Sequence, residues 1–160
     1  MKIEDLLQPD CILENLIVDT NESALNQMTK ILFDKGYVYE SFAQAILDRE
    51  KHYPSGLPME GQKIAIPHTD AIHVKKSVLL FARLEKPVNF SVMGDPDDII
   101  SVRLISMFAL KEKKQIGELL TLLITTYQDS KLLGAIIEAE NGTAIYDILS
   151  TKISQKMQWK

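Results

Sequence analysis

The sequence predicts an α/β sandwich, one central sheet covered by helices within a single domain. Three observations predict it. Helical periodicity occupies the first third and returns from residue 114 onward. Between these regions lie short apolar runs of strand length. No repeat, low-complexity tract or linker divides the 160 residues, a length suited to one domain.

Residues 20–35, TNESALNQMTKILFDK, predict the first helix. Thr20 or Asn21 can cap it, and Ala24, Leu25, Met28, Ile31 and Leu32 recur at helical spacing. Gly36 follows as a helix-ending glycine. Residues 40–51, ESFAQAILDREK, predict the second helix, with Phe42, Ala45, Ile46 and Arg49 on one stripe. Arg49 thus continues the apolar face, either snorkelling or aimed at a target. HYPSGLPMEG is a turn-rich loop. KIAI, 63–66, is a short strand stopped by Pro67, which has no N–H for a ladder. SVLLFARL, 77–84, is a strongly apolar strand. KPVNFSVMGDPDD reads as a short strand and a turn, and IISVRLISMFALK, 99–111, as a long buried strand. Three helices close the chain: IGELLTLLITTYQ, SKLLGAIIEAE and NGTAIYDILSTKI. The expected order is helices, then strands, then helices.

Composition narrows the function. Apolar residues make up 46% and charged residues 25%, enough apolar material for a core without a disulfide or metal staple. The net charge of -4 argues against a nucleic-acid binder and suits a partner with a basic docking face. Cys11 is the one cysteine, so no disulfide forms within the chain, and a packed thiol is the default. The start, MKIEDLLQPD, lacks a signal-peptide core, and no apolar run is long enough for a bilayer. A cytoplasmic protein is expected, with no direct membrane insertion. Neither G-x-x-x-x-G-K-[ST] nor G-x-G-x-x-G occurs.

The candidate chemistry centres on GQKIAIPHTDAIH, 61–73. Pro67 stiffens the chain before His68, and the end of a strand in an α/β sheet is where ligands gather. The expectation is an imidazole standing clear of the sheet and adding little to the core. Thr69 and Asp70 can bond back to backbone or ring. The acceptor for the second ring nitrogen is Asp70, Thr69 or a backbone carbonyl. Arg49 offers a guanidinium fork that suits a phosphoryl group. His68, Asp70 and His73 form an H-x-D-x-x-H set that can be read as a metal site, although its spacing matches no established motif. His52 is expected to be exposed. Leu57, Met59, Ile72 and Val92 are apolar residues in expected loops that either ring His68 or close the core.

Together, FAQAILDREKHYPSGLPMEGQKIAIPHTDAIHV and SVLLFARLEKPVNFSVMGDP resemble enzyme IIA of the bacterial phosphoenolpyruvate-dependent sugar phosphotransferase system, of the fructose–mannitol–galactitol type. The resemblance covers roughly residues 5–150, and GLP…IAIPHTD with VMGDP looks most like the galactitol subgroup. It implies a mixed sheet flanked by helices. It implies that His68 takes a phosphoryl group from the phosphocarrier HPr and passes it to a cysteine of enzyme IIB, which serves membrane enzyme IIC. Arg49 falls on the supporting arginine. Many relatives carry a second active-site histidine at the start of a later helix; QIGELLTLL stands there, so Gln115 takes that place. A glutamine can donate to a phosphoryl oxygen but holds no charge. No metal, nucleotide or other cofactor is implied. Two rival readings remain: an enzyme IIA-like regulatory phospho-domain, and a metal-dependent hydrolase using His68, Asp70 and His73.

Overall fold

The computed structural model describes residues 2–157. Among the described residues five strands form one sheet: β1 (Ile12–Leu16), β2 (Gly56–Leu57), β3 (Ile64–Ala65), β4 (Val78–Val92) and β5 (Asp95–Ala109). Five α-helices surround it: α1 (Asn21–Asp34), α2 (Ser41–His52), α3 (Lys113–Tyr127), α4 (Ser130–Glu138) and α5 (Gly142–Lys156). The sheet is mixed. β1 runs parallel to β4, β2 antiparallel to β3 and parallel to β4, and β3 parallel to β5. β4 and β5 pair antiparallel along a two-residue turn at Met93–Gly94, where Gly94 takes φ +80°. These pairings close a circuit, β4–β2–β3–β5–β4, that brings the hairpin tip back beside β2.

The residues explain the layers. Along β4, Val78, Leu80, Ala82 and Leu84 face one side and pack with Ala24, Leu25, Met28 and Leu32 of α1 and Phe42 and Ile46 of α2. Leu79 and Phe81 face the other side, with Leu104 and Phe108 of β5, against Leu119, Leu123, Leu133, Ile145 and Leu149. Two cores therefore share one sheet, the sandwich that the periodicity predicts. Thr20 caps α1, accepting from Ser23 N, and Gly36 ends it at φ +82°. Cys11 lies buried in the first core, and burial pushes its thiol pKa up.

Three departures from the expected elements matter. β1 precedes α1, so a strand of the sheet, itself preceded by two short 3-10 turns, comes before the first α-helix. β4 is one strand where two were expected; it passes through Glu85, Lys86 and Pro87 by a register shift between Arg83 and Val88. Pro87 is tolerated there because an irregular, exposed stretch needs no ladder N–H from it. α3 starts at Lys113, three residues before the expected Ile116. Among the described residues, no helix is long and apolar enough to cross a membrane.

Candidate active site

β3 ends at Ala65, and the next two residues are fastened by main-chain bonds. Ile66 N donates to Ser55 O at 3.0 Å, and Phe108 N donates to Pro67 O at 3.2 Å. Pro67 itself has no donor, so the ladder stops and the chain turns. His68 follows, but it does not stand clear of the sheet. It is only 8% exposed, and its ring lies stacked on Phe108 with centroids 4.6 Å apart and planes 11° apart. The stack corrects the expectation of a ring adding little to the core, since such aromatic pairs contribute about 0.5–1.5 kcal/mol beyond burial.

His68 Nδ1 lies 2.9 Å from Ile66 O. A carbonyl only accepts, so Nδ1 carries the proton and Nε2 holds the free lone pair. The acceptor is thus main chain, and neither Thr69 nor Asp70 bonds the ring. Burial holds the His68 pKa below the ordinary histidine value; the Arg49 charge lowers it further, while the Ile66 bond and Asp70 oppose this. The neutral imidazole is favoured.

A cleft of about 260 Å³ opens on this ring. α2 brings Ile46, Arg49, Glu50 and His52 to it, the following loop brings Tyr53, Pro54 and Ser55, and the hairpin tip brings Met93, Gly94 and Pro96. Leu120 of α3 completes the wall. Arg49 lies where its apolar-stripe position points, with its guanidinium carbon 5.3 Å from the centre of the Tyr53 ring. It makes no hydrogen bond or ion pair among the described residues, so its donors are available to an anion. Glu50 accepts from Ser55 N at 2.9 Å and from Ser55 Oγ at 2.6 Å, and burial pushes its pKa up against those bonds.

The other sequence candidates are placed as follows. Thr69 is buried and Asp70 exposed. Gln115 sits in the first turn of α3, is not among the residues lining the cleft, and has a buried Oε1 without a partner. His73 turns to Ser41, with Nδ1 2.8 Å from Ser41 Oγ, so His68, Asp70 and His73 do not converge. No group of three or more His, Cys, Asp or Glu is placed to hold a metal among the described residues. Leu57 and Val92 close the core, Met59 is half-buried, and Ile72 alone of that set projects, 79% exposed. His52 is exposed as expected and also borders the cleft, its Nδ1 bonded to Asp48 O at 2.9 Å. Phe108 and Ser55 carry no site signal of their own in the sequence; Glu50 and the hairpin tip enter it only within the stretches, DREK and VMGDP, that carry the family resemblance.

In architecture this is an enzyme IIA-type domain. The complex of enzyme IIA mannitol and phosphorylated enzyme IIB mannitol from Escherichia coli contains a chain similar at TM-score 0.75 and 25% identity, over 91% of this chain and 99% of that one. The crystal structure of IIA mannitol from Escherichia coli gives TM-score 0.72 at 26% identity, over 89% and 97%. The family described as phosphoenolpyruvate-dependent sugar phosphotransferase system, EIIA 2, matches residues 5–152, and the chain belongs to it. A galactitol-specific EIIA component of Escherichia coli is 31% identical over 120 residues, 75% of this chain and 79% of the relative. A nitrogen regulatory protein of Bradyrhizobium diazoefficiens is 30% identical over 156 residues, 94% and 95%. Membership makes the chain a phosphotransferase component, a phosphoryl carrier that works with an enzyme IIB.

Proposed function

We propose that His68 accepts a phosphoryl group from phospho-HPr on Nε2 and passes it to a cysteine of an enzyme IIB that serves a polyol, galactitol first. One observation carries this reading: Nδ1–H is committed to Ile66 O, which leaves the Nε2 lone pair as the ring's nucleophile in a cleft shared with Arg49. The Nε2 lone pair attacks phosphorus as the bond from phosphorus to the HPr nitrogen breaks. The proton stays on Nδ1 throughout, donated in a hydrogen bond to the Ile66 carbonyl. A cysteine thiolate of enzyme IIB then attacks the same phosphorus, and the Nε2–P bond returns its electron pair to the ring. Arg49 supplies two fork donors to the phosphoryl oxygens, where charge stabilisation is the main demand of such transfers. Gln115 is an amide within α3 that can donate to a phosphoryl oxygen; Thr69 and Asp70 act only as neighbours, through packing and charge. The working unit is the whole chain, 1–160, with its core over about residues 5–150. The reaction is cytoplasmic, and enzyme IIB hands the group on to sugar at membrane enzyme IIC. Galactitol rests on the 31% identity to the galactitol-specific component.

The test is incubation with enzyme I, HPr and phosphoenolpyruvate, then mapping of phosphohistidine. Label on His68, lost in His68→Ala, is expected; label on His73, or label surviving that change, overturns the assignment. A panel of enzymes IIB tests the acceptor, and faster transfer to a fructose-type than a galactitol-type partner counts against galactitol. A second reading, a regulatory phospho-domain, is favoured by the match to the nitrogen regulatory protein over 94% of this chain. It is supported if His68 takes the label from HPr but no enzyme IIB of the panel removes it.

A further inference from the structure

We propose that Glu50 positions His68, acting on the imidazole through Ser55 and the main chain of Ile66. The inference rests on His68 as the phosphoryl acceptor. Three links join the two side chains. The Glu50 carboxylate accepts from both Ser55 N (2.9 Å) and Ser55 Oγ (2.6 Å). Ser55 O accepts from Ile66 N at 3.0 Å, and Ile66 O accepts from His68 Nδ1 at 2.9 Å. The relay begins one residue after Arg49. A single anchor at the end of α2 therefore sets both the height of the imidazole and its distance from the guanidinium.

The carboxylate is the group this anchor requires. Both Ser55 donors converge on it, and two oxygens without a proton can accept both. A glutamine can keep both contacts only by reversing one, its carbonyl accepting from Ser55 N and its amide donating to Ser55 Oγ, and it gives up the charge that strengthens them. The arrangement is also costly. Glu50 is largely withdrawn from water and makes no ion pair among the described residues; burial pushes its pKa up, and the two Ser55 bonds oppose that by favouring the charged form. A loop that needed only fastening could be closed by a neutral pair at lower cost. An anion here gives shorter, stronger bonds to the segment that holds Ile66. Ring placement at that precision matters because a displacement of about 1 Å can cost roughly a hundredfold in rate.

The experiment uses the full chain and two readouts. Nitrogen-15 NMR of the unphosphorylated imidazole reads the tautomer, and steady-state phosphorylation by phospho-HPr reads kcat and KM. In Glu50→Gln, His68 is expected to lose its single Nδ1–H state and exchange with the Nε2–H form. Its kcat is expected to fall on the order of tenfold to a hundredfold, with KM within about twofold because Glu50 acts on the ring and not on HPr. Ser55→Ala removes one of the two bonds and is expected to change both readouts in the same direction by less. If Glu50→Gln does not fold, Ser55→Ala decides. A wild-type tautomer with a wild-type kcat overturns the proposal, as does either change without the other. If the wild-type chain takes its label elsewhere, the acceptor assignment fails, while the tautomer still reports whether Glu50 governs the ring.

Discussion

Replacing Arg49 by glutamine separates a role in folding from a role in transfer, because the structure makes the two magnitudes very different. The guanidinium has no hydrogen-bond or ion-pair partner among the described residues. Its guanidinium carbon lies 5.3 Å from the centre of the Tyr53 ring, and Tyr53 is 69% exposed. An exposed cation–π contact contributes about 0.5–1 kcal/mol. In a domain of this size, 1 kcal/mol corresponds to about 2–4 °C in melting temperature. Loss of a preorganised charge-stabilising donor in the transition state costs about 2.7–4 kcal/mol, a hundredfold to a thousandfold in rate. Arg49→Gln is therefore expected to melt within about 4 °C of the wild-type chain yet to transfer at least about a hundredfold more slowly. Arg49→Lys keeps the charge without the planar fork and is expected to fold normally and to transfer slowly as well. Loss of the Arg49 charge also lets the His68 pKa rise, because that charge contributes to holding it down. Rapid-quench measurement of transfer from phospho-HPr and to enzyme IIB, with a melt of each variant, gives all three numbers. Near-normal transfer by folded Arg49→Gln would refute the reasoning and return Arg49 to the status of a solvated helix residue.

Three further predictions follow from other features. Because the folded pKa of His68 lies below the ordinary value of about 6.5, phosphoryl uptake stays flat as pH falls through 6.5 and declines only further down. Over that window the unfolded chain takes up the proton first, so stability drops as pH falls from about 6.5 to the lowered folded pKa; urea titrations of wild type against His68→Gln check the sign. Gly56→Ala places a Cβ 2.6 Å from the Ser91 carbonyl oxygen, forcing the hairpin tip off β2. A loss of about 1–3 kcal/mol is expected, with faster amide exchange at Met93, whose N–H bonds Gly56 O at 2.8 Å. Tyr127→Phe strands the Ser106 hydroxyl, which lies 2.6 Å from the Tyr127 oxygen in the second core. A loss of about 1–3 kcal/mol in urea unfolding is expected, and adding Ser106→Ala recovers most of it.

The parts of this molecule legible in its sequence are those where one segment's pattern suffices. α1, α2 and α5 carry their own stripes and punctuation, and the unbroken apolar run that opens β4 announces a sheet covered on both faces. His68 was findable because Pro67 stops a strand beside it, and Arg49 because it sits on an apolar stripe. The remainder depends on partners distant in the chain. β1 shows no alternation, its five residues being partly buried or exposed without period. β2 is two residues long and exists as a strand only because β3 and Val92 flank it. Phe108 looks like any apolar residue of a buried strand until the ring of His68 is seen on it. Ser55 lies in a loop rich in turn formers, and nothing local says that its carbonyl reaches Ile66. The proton acceptor of His68 is a peptide carbonyl, which every residue possesses, so no residue type could have pointed to it.

The closed circuit of strands has a consequence for how the molecule assembles and opens. The β4–β5 ribbon zips from a two-residue turn, with very little chain to close, and it anchors both cores. β2, by contrast, meets β4 at the single pair Gly56 and Val92, across a long stretch of intervening chain. Contacts of that kind form late and are the first released in local fluctuations. Opening of the seam between β2 and the hairpin tip would move the lip of the cleft while both hydrophobic layers stay shut, and it is expected as faster amide exchange at Met93, whose N–H bonds Gly56 O, than within the β4–β5 ribbon.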